Sequence, residues 1–167
     1  MAIEKSEKNF LERVADSIPG IKGYRAREER RDTDKRLRDY LAGAIDTSRR
    51  GLTDAKLDLT KAGKLDLLDR VDRSERKMQR IADAVRHASY GYSGFFDQLK
   101  IGENELDRLY AHDTSMVALC AELEARATAV RGAEPAVALD GLEAAVEALD
   151  RAFQDRKTLF DKPEGGV

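Results

Sequence analysis

The chain has 167 residues, a formal net charge of -2, 37% charged residues, 6% aromatics and no tryptophan. That length fits one domain with a real core, and the charge-rich, aromatic-poor mix suits long exposed helical faces better than a sheet protein. The 41% apolar content held in register argues against disorder, the competing reading of high charge, and the single cysteine, Cys120, excludes an internal disulfide.

Charge is distributed unevenly. Residues 1–100 carry 23 Lys+Arg against 18 Asp+Glu, a net of +5, and residues 101–167 carry 7 against 14, a net of -7. Two readings follow. Either the halves attract each other within one fold, or the chain offers a basic face to an acidic partner or membrane.

Residues 3–18 read as a short amphipathic helix with Ile3, Phe10, Leu11, Val14 and Ile18 on one face. Pro19-Gly20 ends it, and IPGIKGY forms a turn through Tyr24. A long helix is expected over 25–62. Its opening turns, REERRDTDKRLRD, alternate in sign, with Asp32–Arg36 and Asp34–Arg38 spaced for self-pairing on a solvated face. Gly43 and Gly51 interrupt it, consistent with a bend or a close helix contact.

From Leu41 the apolar and small residues recur at steps of mostly three or four: Ile45, Ser48, Leu52, Ala55, Leu59 and Ala62, then Leu68, Val71, Ser74, Met78, Ile81 and Val85. Such spacing keeps one stripe facing a partner helix. Gly63 breaks the pattern, so 25–88 reads as an antiparallel coiled-coil hairpin. The second arm, 64–88, carries Asp66–Arg70, Asp69–Arg73 and Asp72–Arg76 in the favourable acid-first order.

The segment 89–102 departs from the helical rhythm and concentrates aromatics: Tyr90, Tyr92, Phe95 and Phe96, with turns at Gly91 and Gly94. It is either a plug closing one end of a bundle or an exposed recognition patch for a partner. The stripe then resumes at Leu106, Leu109, Asp113, Met116, Cys120, Leu123, Ala127 and Val130, and again at Leu139, Leu142, Val146, Leu149 and Phe153. These predict helices over 103–131 and 136–160, a second hairpin, followed by a disordered tail at 161–167.

The expected fold is therefore all-α: an elongated antiparallel helical bundle of two coiled-coil hairpins plus a short N-terminal amphipathic helix, in one domain over 1–160. No catalytic chemistry stands out. A di-metal bundle site requires Glu-x-x-His pairs, but Ala84 and Leu109 stand three residues before His87 and His112. Zinc would need more than one Cys and two His, and there is no phosphate loop or nucleophile elbow. No metal, cofactor or catalytic residue is expected. Asp113 falls on the apolar stripe, where an acid paired with an arginine would set helix register. His112 reads as a surface or cap-like residue, and Cys120 as a small buried apolar one.

Three segments carry a family resemblance: Pro-Gly-x-x-Gly-Tyr at 19–24, Tyr-Gly-Tyr-x-Gly-Phe-Phe-Asp at 90–97 and Leu-Asp-x-Leu-Tyr-x-x-Asp at 106–113. Over about residues 9–120 the chain resembles an uncharacterised family of prokaryotic all-helical proteins. The resemblance implies an accessory role beside stomatin/prohibitin-like (SPFH) membrane proteins and carries over no catalytic residues. A looser, architectural similarity is to phage-shock and ESCRT-III-type proteins, which also join an N-terminal amphipathic segment to a long basic hairpin; their sequence motifs are missing here.

The function expected from these features is a non-enzymatic scaffold or adaptor working through protein–protein contacts or self-association, with Tyr90, Tyr92, Phe95 and Phe96 as candidate partner-binding residues. The alternative is a membrane-surface remodelling or stress protein that inserts 3–18 and polymerises. Nucleic acid is disfavoured, because Glu28, Glu29, Asp32 and Asp34 interleave with the basic residues of 22–38. With no secretory signal pattern and no apolar run of spanning length, the expected location is cytoplasmic, or peripheral at the inner face of the membrane.

Overall fold

Five helices account for most of the described residues, 2–24, 27–88 and 102–159, in a computed structural model. They are α1 (Ala2–Val14), α2 (Arg27–Lys61), α3 (Leu68–His87), α4 (Glu103–Ala129) and α5 (Pro135–Thr158). The protein is an all-α helical bundle. The aromatic segment and the tail lie outside the described residues, as does the side chain of Ile3.

The α2–α3 connection follows from local chemistry. Gly63 adopts φ +70, a left-handed conformation that only glycine takes at low cost. It allows Lys64 N–H to donate to the Leu59 carbonyl at 2.9 Å and Gly63 N–H to the Thr60 carbonyl at 3.1 Å, which satisfies carbonyls orphaned at the helix end. A single 3-10 turn, Leu65–Leu67, then leads into α3. The α4–α5 turn closes with Gly132 N–H on the Ala129 carbonyl at 2.9 Å. Pro135 opens α5, where its missing N–H removes nothing from the helix.

α2 packs on α3 and α4, and α5 packs on the same two helices. The ring order is α2–α3–α5–α4, with α2 and α5 on one diagonal and α3 and α4 on the other. Ion pairs fix the directions. Arg131 at the end of α4 meets Asp58 near the end of α2 at 2.8 Å, so those helices run parallel. Arg70 early in α3 meets Asp140 at 2.6 Å and Glu143 at 2.8 Å early in α5, so those do too. The N-terminal helix lies outside the ring, against α4.

The stripes meet in the centre. Leu41, Ile45, Ser48, Leu52, Ala55 and Leu59 of α2 are buried with Val71, Ser74, Met78, Ile81 and Val85 of α3. Leu106, Leu109, Met116, Cys120, Leu123 and Ala127 of α4 and Leu139, Leu142, Val146, Leu149 and Phe153 of α5 complete that core. Ala62, at the end of the α2 stripe, is exposed, because the helix has already ended.

Two expectations of the surface are corrected. The acid-first pairs read along α3 give way to contacts between helices. Arg70 joins α5 as described, Lys77 pairs with Glu147 and Arg80 with Asp150, while Asp72 pairs with Lys56 of α2 at 2.7 Å. The basic α3 and the acidic α5 thus attract each other inside one fold. These partners are largely solvated, so each pair adds little to stability. Their hydrogen bonds still hold the Glu147 and Asp72 carboxyls below their ordinary values, through Lys77 and Lys56 respectively.

Among the described residues nothing closely approaches Gly43 or Gly51. A methyl group built on either meets nothing within 4 Å, so only the entropic cost of helical glycine remains. Gly43→Ala and Gly51→Ala should each raise unfolding stability by about 0.5–1 kcal/mol, read as a higher urea midpoint at unchanged slope. A loss of stability in either variant would show that something does approach that face.

Candidate functional site

The most unusual chemistry lies at the end of the bundle where α2 begins and α5 finishes. Four charged side chains are buried there: Asp113 is 0% exposed, Arg156 1%, Asp34 3% and Arg38 6%. Charges seldom enter a core unless paired, because desolvation costs several kcal/mol per ion.

Each group is positioned by a different element. Asp113 occupies a stripe position one turn into the α4 core, and Arg156 stands three residues beyond Phe153 on the stripe of α5. Their contact is a fork: Arg156 Nε donates to Asp113 Oδ1 at 2.6 Å and Nη2 to Oδ2 at 3.0 Å. Such bidentate pairing is the strongest geometry available to these groups. Arg156 Nη1 lies 2.9 Å from Asp34 Oδ1 across the α2–α5 diagonal. Asp34 Oδ2 accepts from Arg38 Nε at 2.8 Å, and Arg38 Nη1 donates to the Arg86 carbonyl in the last turn of α3 at 3.2 Å. All four helices of the ring meet here, and two carboxylates balance two guanidiniums.

The chain before α2 completes the node. Tyr24 donates its phenol to Asp113 Oδ2 at 2.5 Å, and its N–H donates to the Tyr110 hydroxyl at 2.6 Å. Its ring stands 5.3 Å from that of Tyr110, and Phe10 of α1 packs 5.1 Å from Tyr110, within the usual range for favourable aromatic pairs. The turn is bolted to α2 by Thr33, whose hydroxyl accepts from Gly23 N–H at 3.1 Å and donates to the Gly23 carbonyl at 2.8 Å. Gly23 has φ +140, and a Cβ there would stand 2.7 Å from Glu7 Oε1 and 2.9 Å from the Tyr110 hydroxyl. Backbone conformation and space both require glycine.

Burial, and next the Asp113 charge, push the Tyr24 phenol well above its ordinary value, so it stays protonated and donates. For Arg156 burial alone would favour loss of the proton, but Asp113, Tyr24 and Asp34 outweigh it and hold the guanidinium firmly charged. Among the described residues the node is buried and internally neutral, its two carboxylates balanced by two guanidiniums.

Elsewhere, Cys120 is buried in α4 and its thiol is pushed up to about 12 by that burial, which leaves almost no nucleophilic thiolate at neutral pH. His112 differs from its expected surface or cap-like role. Its Nε2 lies 2.7 Å from the Ala152 carbonyl, which can only accept, so the ring donates and ties α4 to α5. Among the described residues no group of three or more His, Cys, Asp or Glu could hold a metal ion, and no helix is long and apolar enough to cross a membrane.

No family model, curated protein or solved structure matches the chain. The site therefore rests on its own geometry. Of the residues singled out in the sequence, Asp113 lies at the centre of the node, with an arginine as its partner. Tyr90, Tyr92, Phe95 and Phe96 lie outside the described residues. Tyr24, Asp34, Arg38 and Arg156 were not singled out. Asp34 and Arg38, read as a solvated self-pair, are instead buried with each other. A signal for them existed: the three- and four-residue steps run back from Leu41 through Arg38 to Asp34 and forward from Phe153 to Arg156.

Proposed function

We propose that the protein is a non-enzymatic scaffold or adaptor acting through protein–protein contacts. The observation that carries this reading is the closure of the node. The side chains best suited to chemistry, Asp113, Arg156, Asp34 and Tyr24, are buried and occupied with one another. Groups so held stabilise one arrangement of helices and turn over no substrate. The aromatic segment, with Tyr90, Tyr92, Phe95 and Phe96, is the proposed contact surface, entered where α3 ends and left where α4 begins. The family resemblance directs the search for a partner toward SPFH-type membrane assemblies.

The membrane-insertion alternative asks α1 to present its apolar face to lipid. Phe10, Val14 and Ile18 are instead buried, at 0%, 0% and 4% exposure, and α1 leans on α4, which favours the adaptor reading. The test compares wild type with a Phe95→Ala, Phe96→Ala double variant in cells, by cross-linking and mass spectrometry, alongside the thermal midpoint of both purified proteins. The adaptor reading expects a defined partner lost from the variant at an unchanged midpoint. A lowered midpoint with an unchanged set of cross-linked proteins would make the segment a structural plug and overturn the assignment.

A further inference from the structure

We infer that residues 2–24 form a releasable strap, latched at Tyr24, that opens while the four-helix ring stays folded. Three observations support this. First, α1 packs chiefly against α4, whereas every helix of the ring packs against two others of the ring. The stripes of the ring bury one another, and the strap adds Phe10, Val14, Ile18 and Tyr24 to them.

Second, the ring keeps its charges paired when the strap lifts. Asp113 retains both bonds of the Arg156 fork, Arg156 retains Asp34, and Asp34 retains Arg38. Opening removes the phenol from Asp113 and admits water in its place, so no buried ion is stranded. A strap that carried a charged member of the node would be far harder to release.

Third, the latch is concentrated at one point. Tyr24 makes two hydrogen bonds to α4, through its hydroxyl and its N–H, and its ring joins the Phe10–Tyr110 cluster. Loss of this side chain's contacts weakens the hold on α4, where Phe10 alone of the aromatic cluster still packs on Tyr110, while the bonds of Gly23 to Thr33 and of Arg36 to the Pro19 carbonyl keep the end of the strap on α2 as the pivot. Release uncovers Tyr110 of α4 together with Phe10 of α1. Segments that open below the global unfolding energy behave in this cooperative way.

Hydrogen exchange read by mass spectrometry on the full-length protein tests the inference. In wild type, amides of α1 should exchange as a unit and faster than those of α3 and α5. Tyr24→Phe removes a bond to a charged acceptor and should speed α1 exchange about 10- to 100-fold, with α3 and α5 changed less than about twofold. Gly23→Ala, which forces a Cβ against Glu7 and the Tyr110 hydroxyl, should act in the same direction and touch the ring only at Tyr110. Equal acceleration of α1, α3 and α5 in both variants would mean that strap and ring unfold together, and would overturn the proposal. So would a slower exchange of α1 than of α3 and α5 in wild type.

Discussion

Arg156→Ala should cost about 3–5 kcal/mol of unfolding stability, the usual price of removing one member of a buried ion pair. The substitution leaves Asp113, fully buried, with only the Tyr24 phenol, and strips Asp34 of its contact across the diagonal. Arg156→Lys should recover part of the loss, since an ammonium restores charge but cannot reproduce the fork to both Asp113 oxygens. The paired replacement Asp113→Leu with Arg156→Met should recover more, because apolar residues of similar size carry no desolvation penalty. Urea unfolding of the four proteins gives the comparison. A loss below about 1 kcal/mol for Arg156→Ala would show that water reaches the node and that burial is not what makes it matter.

The second large effect appears in alkali. Because burial and the Asp113 charge raise the Tyr24 pKa above its unfolded value of 10.0, the folded state keeps a proton that the unfolded state releases. The stability this confers is complete below pH 10 and declines as pH climbs through the gap between the two values, by about 1.4 kcal/mol per pH unit. Cys120 adds a decline of the same sign between its ordinary 9.0 and about 12, again from burial. Lys56, raised by its hydrogen bonds to Asp72 and Glu75, works in the same direction. Tyr24→Phe isolates the phenol. At neutral pH the variant should be less stable than wild type, and the difference should shrink steadily from pH 10 upward. Urea midpoints at pH 8, 10 and 11 give the slopes; parallel slopes in the two proteins would remove Tyr24 from the account.

The two effects report on one node, and the node shows where sequence reading stops. The stripes from Leu41 to Phe153 were legible because helical burial repeats every three or four residues, a local property that needs no knowledge of the partner. Helix ends were legible for the same reason: Gly63 and Pro135 act within a turn of themselves. The pair Asp34–Arg38 was not legible as buried. Asp32–Arg36, two residues earlier, has the same composition and spacing and the same 2.8 Å contact, yet its side chains are nearly half exposed while those of Asp34 and Arg38 are almost sealed. Within one helix only their place on the stripe that runs back from Leu41 distinguishes them, and that stripe does not say what would face them. The difference is Arg156, brought from the far end of the chain.

The same limit applies to α3. Asp66, Asp69 and Asp72 are spaced to pair with arginines four residues on, and an isolated helix would favour those contacts. In the bundle, longer-range partners win, because α5 holds Asp140, Glu143, Glu147 and Asp150 in a parallel row opposite Arg70, Lys77 and Arg80.

By itself, then, the sequence determined that this protein is built of long helices, where they lie to within a few residues, and which apolar stripes face inward, since each of these follows from periodicity and turn chemistry acting over a few residues. Only the tertiary structure decided that α2 and α4 run parallel, that α1 lies against α4, and that Tyr24, Asp34, Arg38, Asp113 and Arg156 form one neutral node. Those outcomes depend on charges brought together from segments far apart in the chain, whose desolvation is tolerable only when all of them arrive at the same place.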